Sequence, residues 1–197
     1  MILENVKKDV NLALCEKLSS KLIKHPLFMH FCPILEERKK FIKDYLYYYI
    51  YEWSEFDTLL ADSNEQVFAV LIDPHTFEYR FKGKGARALK KFKNSKAIFI
   101  HREVVRGIVH IIAPGFMNPM VLNIYGMPEN DIEAIDEVVN EAIKLADENN
   151  YTLAYETFSQ KLIPFMHNKG FEISYQRQYI DTRFMETVMT YRSNPNK

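Results

Sequence analysis

The chain has few of the features that mark several classes of protein. Its two cysteines, Cys15 and Cys32, have neither the spacing of a metal site nor that of a redox motif. The formal net charge is +0, so no overall field would recruit nucleic acid or an anionic membrane. No apolar run approaches the roughly 20 residues that span a bilayer, and the N-terminus lacks the basic and apolar regions of a signal peptide. We therefore expect a protein of the reducing cytoplasm, without a membrane or nucleic-acid partner.

What the chain does have is enough apolar sequence for a substantial core. Its 197 residues are 47% hydrophobic and 14% aromatic, which is typical of a globular domain. No internal repeat or linker divides it, so we predict a single domain over residues 1–197 with a disordered tail at 193–197. The six histidines are scattered without carboxylates or cysteines around them, so we expect no metal site.

The C-terminal part of the chain alternates strand and helix patterns. Residues 120–125 form a short apolar run closed by Gly126, which predicts a buried strand. From Ile132 onward apolar residues recur at helical spacing until Asn149 and Asn150, which predicts an amphipathic helix with an acidic outer face.

The elements after this helix are shorter. Residues 151–156 predict a strand, and a short helix with Thr157 or Ser159 as its N-cap should run to Lys169 before Gly170. Two strands of alternating character close the chain, at 171–180 and 187–191.

The N-terminal half is predicted to contain two helices and a hairpin. Helical patterns cover 10–23 and 36–53, with His-Pro and Cys-Pro breaks around them. Residues 58–62 and 66–72 predict the hairpin strands. Residues 74–118 then form an insertion before the central strand.

Short motifs in the final two-fifths of the chain resemble the GNAT acyltransferases. They are Pro128-Glu129 after the central strand, Glu156-Thr157 at the end of the next, and Pro164-Phe165 ahead of Lys169-Gly170-Phe171-Glu172. The resemblance implies an α/β (α+β) fold with a central mixed, mostly antiparallel sheet flanked by helices. It also implies transfer of an acetyl group from acetyl-CoA, or another acyl group from its acyl-CoA, to an unknown amine on a small molecule or peptide. The alternative is a catalytically inactive GNAT-fold module that binds a ligand or a protein and no CoA.

The resemblance assigns the cofactor to the central strand and the loop after it. The residues concerned are Ile124, Tyr125, Gly126, Asp131, Ile132 and Ala134. In GNAT enzymes this loop offers bare backbone amides to the CoA diphosphate. Here Asp131 and Asp136 put negative charge in it, and eight acidic residues but one Lys lie between 129 and 148. Such carboxylates also complement the helix dipole and cap the helix.

The usual proton donor of these enzymes is missing. Met166 stands where many GNAT enzymes have a Tyr, and its thioether cannot donate a proton. Leu162 stands at a position where the family has Asn, and His167 should point elsewhere because a helix turns about 100° per residue. Asn123, Tyr125 and Glu156 are the candidates for a general base, with Glu156 best placed at the end of a strand. The alternative for Glu156 is a structural carboxylate that caps the next helix or pairs with a Lys.

A basic segment offers a rival phosphate loop. Arg80, Gly83, Lys84 and Gly85 fit an Arg-x-x-Gly-x-Gly pattern, and residues 80–96 carry eight positive charges and no negative one. The segment could be a solvated basic helix, a contact for CoA or another anion, a nucleic-acid contact, or a partner of the acidic helix.

An aromatic helix stands out in the N-terminal half. Phe41, Tyr45, Tyr48, Tyr49 and Trp53 share one face, while Tyr47 and Tyr51 share another. One face is core. The other tyrosines could cover a partner subunit, as in a homodimer, or line a pocket. In GNAT proteins the early helices border the acceptor site, so the resemblance suggests Tyr48, Tyr49 and Trp53 as a substrate pocket.

Overall fold

Five helices and six strands make up the part of the chain that the computed structural model describes, which is residues 8–53, 58–74, 118–127, 129–178 and 184–193. The helices are α1 (Lys8–Lys21), α2 (Pro26–Phe31), α3 (Leu35–Trp53), α4 (Ile132–Asn149) and α5 (Leu162–Asn168), and a 3-10 turn (Leu22–Lys24) follows α1. The strands are β1 (Thr58–Ala61), β2 (Phe68–Ile72), β3 (Pro119–Tyr125), β4 (Thr152–Thr157), β5 (Glu172–Gln178) and β6 (Met185–Arg192).

The six strands form one sheet in the order β1-β2-β3-β4-β6-β5. The central neighbours β3 and β4 are parallel, and every other neighbouring pair is antiparallel. A parallel pair needs a long connection, and here that connection contains α4. The expected mixed, mostly antiparallel sheet flanked by helices is therefore confirmed.

Two hydrophobic cores cover the two faces of the sheet. The first joins α1–α3 to one face, through the alternate strand residues Leu59, Ala61, Phe68, Val70, Ile72, Val121, Tyr125 and Ala154. The second joins α4 and α5 to the opposite face, through Leu60, Ala69, Leu71, Leu122, Leu153, Tyr155, Met189 and Tyr191. This division follows from the period of two along each strand. Any residue of β3 or β4 can thus be assigned to a face from its neighbours.

The predicted elements match the observed ones with two corrections. Residues 25–33 were expected only as breaks, yet α2 lies there, because Pro26 occupies the first turn of a helix, where its missing N–H costs nothing. The expected cap of α5 is also wrong. The helix begins at Leu162, and Thr157 Oγ1 instead accepts a hydrogen bond from Ser159 N at 3.1 Å.

The predicted helix ends are correct. Asn150 ends α4 in the left-handed region, at φ 55°, and Gly170 follows α5 at φ 92°. Residues 75–117 of the predicted insertion and 194–197 of the predicted tail lie outside the described residues, as do 179–180 of the strand predicted at 171–180. Within the described ranges, no helix has the length and apolar character required to cross a membrane.

Candidate functional site

The central parallel strands separate before they end. Their register runs from Pro119 opposite Thr152 to Leu122 opposite Tyr155 and goes no further. Strand β3 continues to Tyr125, still paired with β2 on its other side. The last three residues of β3 are therefore not part of the β3–β4 ladder, although β3 still runs beside β2. We call this place the strand opening.

The predicted catalytic residues lie at the strand opening. Alternation from Val121 and Tyr125 assigns Asn123 to the α1–α3 face of the sheet, and alternation from Ala154 assigns Glu156 to the same face. Tyr125 is buried in the first core, at 8% exposure. The structure thus brings the three general-base candidates to one face, at the carboxyl ends of neighbouring strands.

A second carboxyl group and a guanidinium lie beside Glu156. Glu156 on β4 is opposite Val188 on β6, so Glu186 lies diagonally across from it on the same face. Arg177 on β5 is opposite Glu186, and its Nε donates a hydrogen bond to Glu186 Oε2. Glu186 has an exposure of 0%. We call Glu156 and Glu186 the carboxyl pair.

Burial raises the pKa values of both members of the carboxyl pair. Burial raises the pKa of Glu186 to about 8, and the hydrogen bond and negative charge of Glu156 contribute to this rise, against the opposing effect of Arg177. Burial also raises the pKa of Glu156, while Glu186 and Arg177 oppose that rise. Glu186 Oε1 and Glu156 Oε1 are both buried. The pair therefore ionises less readily than two exposed carboxyl groups would.

The loop before α4 is closed by an internal ion pair. Asp131 is buried, its Oδ2 accepts a hydrogen bond from Met127 N at 2.9 Å, and its Oδ1 lies 2.5 Å from Lys21 Nζ. Lys21 also donates to the carbonyl oxygen of Gln66 at 3.3 Å. Asp131 is the N-cap residue of α4, but its side chain makes no capping bond to the helix, so the expected side-chain cap is not present. Its carboxylate instead joins the loop to the end of α1.

The other predicted cofactor residues of this loop have packing roles. A Cβ on Gly126 would lie 2.8 Å from a methyl carbon of Val67, so the glycine lets the loop approach the β1–β2 hairpin closely. Ile132 and Ala134 pack against the second core, and so does Ile124. Each of these side chains is partly or fully buried within the protein.

The acidic face of α4 serves contacts inside the fold. Asp136 Oδ1 lies 2.6 Å from Lys169 Nζ, and Asp136 Oδ2 accepts a hydrogen bond from Asn140 at 2.7 Å. Glu137 accepts from Ser63 N at 2.7 Å, which holds the β1–β2 turn against the helix. Two of the acidic side chains of α4 are thus engaged within the fold, Asp136 by Lys169 just after α5 and Glu137 by Ser63 of the hairpin.

The residues of α5 that the resemblance aligns with catalytic positions lie away from the strand opening. Met166 and Leu162 are buried in the second core, on the sheet face opposite Glu156. His167 is exposed, as the helical turn predicted. None of the three reaches the face that carries the carboxyl pair.

Two further groups of predicted site residues lie outside the described part of the chain. One consists of the side chains of Tyr48, Tyr49 and Trp53, and the other is the rival loop with Arg80, Gly83, Lys84 and Gly85. The start of the aromatic helix is core. Phe41 and Tyr45 are buried, with ring centroids 6.1 Å apart.

Sequence reasoning missed Glu186, Arg177 and Lys21. Glu186 lies one residue before the strand predicted at 187–191, at a position that alternation directs to the same face as the apolar Val188. A charged residue at an inward strand position is the signal that could have identified it. Neither Arg177 nor Lys21 carries such a signal, because each is one of many basic residues in the sequence.

His25 is a half-buried polar residue to which the sequence gave no role. It precedes α2, its ring lies 5.5 Å from that of Phe28, and its Nδ1 is buried without a hydrogen-bond partner among the described residues. Burial lowers its pKa to about 4, and the charge of Glu129 opposes this effect only in part. The ring is therefore neutral at pH 7. In the described part of the chain, no group of three or more His, Cys, Asp or Glu residues could hold a metal ion.

No family model matches the chain, and no curated protein is significantly similar to it.

Proposed function

We propose that this chain is a GNAT-type acyltransferase that transfers an acyl group from acyl-CoA to an amine. The strand opening is the observation that carries the proposal. The ladder between the central strands stops at Leu122 and Tyr155, before either strand ends. An extended chain such as pantetheine can add to the side of β3 from Asn123 onward through backbone hydrogen bonds, as a peptide adds to a sheet edge. Ligands of α/β sheets also commonly bind at the carboxyl ends of strands.

Glu156 is the residue that we assign to proton transfer. In the proposed reaction the amine nitrogen bonds to the thioester carbonyl carbon, the C–S bond breaks, and Glu156 accepts the proton that the nitrogen releases. Its position at the end of β4, on the same face as Tyr125, supports this role. Since Met166 is buried on the opposite face, the thiol proton comes from solvent. Proximity alone supplies several powers of ten in rate, so a missing acid is compatible with activity.

The thermal stability of the protein with and without acetyl-CoA tests the proposal. Ligand at about 100 times its dissociation constant adds about 2.7 kcal/mol, which raises the Tm of a domain of this size by several degrees. Acetyl transfer to a panel of amines follows, with Glu156→Gln expected to lose activity and to keep acetyl-CoA binding. Glu172→Gln is the matched control, because Glu172 is an exposed carboxylate on β5. Equal activity of wild type and Glu156→Gln would contradict the role of Glu156.

The diphosphate needs a separate test, because the N-terminus of α4 does not fit it. The Asp131 carboxylate and its bond to Lys21 occupy the loop where GNAT enzymes bind the diphosphate. Asp131→Asn removes this negative charge. Tighter acetyl-CoA binding by the variant would locate the diphosphate at α4. Unchanged affinity would locate it elsewhere, and Lys84→Glu would then test the rival basic loop.

The same ion pair favours a second candidate function. A GNAT-type fold whose diphosphate loop is closed by an internal salt bridge could serve as a binding module that takes no CoA. This alternative predicts no change of Tm at any acetyl-CoA concentration, in wild type and in Asp131→Asn alike. Dephospho-CoA and desulfo-CoA extend the comparison, because a site that recognises only the pantetheine arm responds to both.

A further inference from the structure

Asn123 is a polar residue among apolar neighbours on the α1–α3 face of the sheet. It lies opposite Val70 of β2, and Val121 and Tyr125 are two places away from it along β3. These three neighbours belong to the first core and have exposures of 1%, 2% and 8%, whereas Asn123 is only half-buried. Water therefore reaches this face of the sheet at Asn123, next to the strand opening.

The side-chain amide of Asn123 is not used by the fold. No residue in the part of the chain that the structure describes forms a hydrogen bond with it. An amide has two N–H donors and one carbonyl acceptor, and it does not take up a proton near neutral pH. Asn123 therefore cannot be the general base, but it can bind a ligand by hydrogen bonds. Water can occupy these bonds in the free protein, and a polar group of a ligand can replace that water.

The place of Asn123 in the sheet relates this amide to the proposed reaction. The last pair of the β3–β4 ladder is Leu122 and Tyr155, so Asn123 is the first residue of β3 beyond the ladder. A chain that adds to β3 at the strand opening starts at this level. The Asn123 side chain lies on the same face as Glu156, to which proton transfer is assigned. An acyl group that reaches this face at the strand opening therefore meets the Asn123 amide.

We propose that Asn123 Nδ2 donates a hydrogen bond to the carbonyl oxygen of the acyl thioester. The inference rests on the proposed acyltransferase function and names the group that binds its reacting carbonyl. When the amine nitrogen bonds to the carbonyl carbon, an electron pair of the C=O bond moves to the oxygen, and the Nδ2 donor stabilises this negative charge. The pair returns as the C–S bond breaks. Such a donor is most effective in surroundings of low polarity, which Val70 and Val121 provide here.

Calorimetry with acetyl-CoA and with CoA tests this hydrogen bond without an acceptor amine. CoA has no acyl carbonyl, so only acetyl-CoA can accept a hydrogen bond from Asn123 through that group. Wild type should bind acetyl-CoA about 2- to 12-fold more tightly than CoA, which corresponds to one neutral hydrogen bond. Asn123→Leu has a side chain of similar size without a donor, and it should bind the two ligands equally. Asn64→Leu is the matched control, because Asn64 is exposed in the β1–β2 turn.

The rate of acetyl transfer tests the same hydrogen bond in the transition state. Loss of one side-chain donor to a developing oxyanion lowers kcat by about 10²–10³-fold, so we expect this fall in Asn123→Leu. The KM for acetyl-CoA should rise by no more than about 12-fold. The urea midpoint of Asn123→Leu should not lie below that of wild type, because the amide has no partner to lose. If this variant does not fold, Asn123→Asp keeps the shape of the side chain and removes the donor.

The outcomes separate this inference from the proposed function. An unchanged kcat and an unchanged preference for acetyl-CoA in Asn123→Leu, with active wild type, would overturn the role of Asn123 and leave the acyltransferase proposal in place. Equal binding of acetyl-CoA and CoA by wild type would also overturn the role of Asn123. So would an equal loss of affinity for both ligands in the variant, because it would indicate contact with another part of CoA. Absence of any acetyl-CoA binding by wild type would overturn both proposals.

Discussion

An ion pair at the start of α4 allows a direct test of how this loop is built. Lys21 Nζ lies 2.5 Å from Asp131 Oδ1, and the two side chains are 26% and 5% exposed. Lys21→Met leaves the Asp131 carboxylate buried without its cation. Breaking a buried ion pair costs about 3–5 kcal/mol. Because water still reaches the lysine, we expect a smaller loss, about 2–3 kcal/mol of unfolding free energy.

The partner substitution should cost less. Asp131→Asn keeps an oxygen that can accept the hydrogen bond from Met127 N, now 2.9 Å long, but removes the charge. We expect a loss of about 1–2 kcal/mol. The unfolding free energy of the double variant should be close to that of Asp131→Asn alone, because the uncharged side chain at position 21 then faces no buried charge. The coupling energy in a double-mutant cycle then equals the cost of Lys21→Met alone, about 2–3 kcal/mol.

Urea unfolding of the four proteins measures this coupling. Lys161→Met is the matched control, because Lys161 pairs with Glu129 at 3.6 Å while the two side chains are 68% and 45% exposed. Exposed pairs contribute little, and we expect a change below about 0.5 kcal/mol. A Lys21→Met variant as stable as this control, or a coupling energy near zero, would refute the conclusion that an internal ion pair closes the loop.

Three further predictions concern other buried polar groups. Arg38 is buried and donates to three backbone carbonyls at 2.7–2.9 Å, so Arg38→Met should lower the unfolding free energy by about 3 kcal/mol or more in urea unfolding. The raised pKa of Glu186 contributes stability that is fully present below pH 4.5 and is lost as the pH rises toward 8. The unfolding free energy should fall by up to about 1.4 kcal/mol per pH unit in this range. Glu186→Gln should remove this fall. The lowered pKa of His25 acts in the opposite direction, because its contribution to stability is lost as the pH falls from 6.5 toward 4. His25→Phe removes this contribution, so the pH dependence due to Glu186 should then dominate the unfolding free energy in that range. Thermal unfolding across pH checks both, and curves that match wild type would contradict them.

The elements that the sequence predicted are those with a strong local pattern. The strand at 120–125 and the helix after Ile132 were correct because apolar spacing and a closing Asn are visible within a few residues. The short helix α2 was missed because its flanking prolines are typical of breaks. Proline at the first helical position starts a helix as readily as it ends one, and only the packing of Phe28 and Phe31 in the first core decides between the two.

The candidate site was less predictable because its parts are far apart in sequence. Lys21 and Asp131 are separated by 110 positions. The loop sequence alone therefore predicted an unpaired negative charge on Asp131, which would repel a phosphate group. Glu156 was identified from its place at the end of a strand, but its partner Glu186 arrives through the order of strands in the sheet, which local spacing does not contain.

The two buried carboxylates illustrate different solutions to the same physical problem. A buried charge is costly unless it is paired. Asp131 is paired with Lys21 and with a backbone N–H, so its burial is explained by the fold alone. Glu186 already has Arg177, and a hydrophobic residue in place of Glu156 would leave a simple pair that costs less than two carboxyl groups. The Glu156 carboxyl group contributes to the raised pKa of Glu186, and a raised carboxyl pKa is typical of groups that transfer protons. For this reason the proposed proton transfer is assigned to the end of β4 rather than to the start of α4.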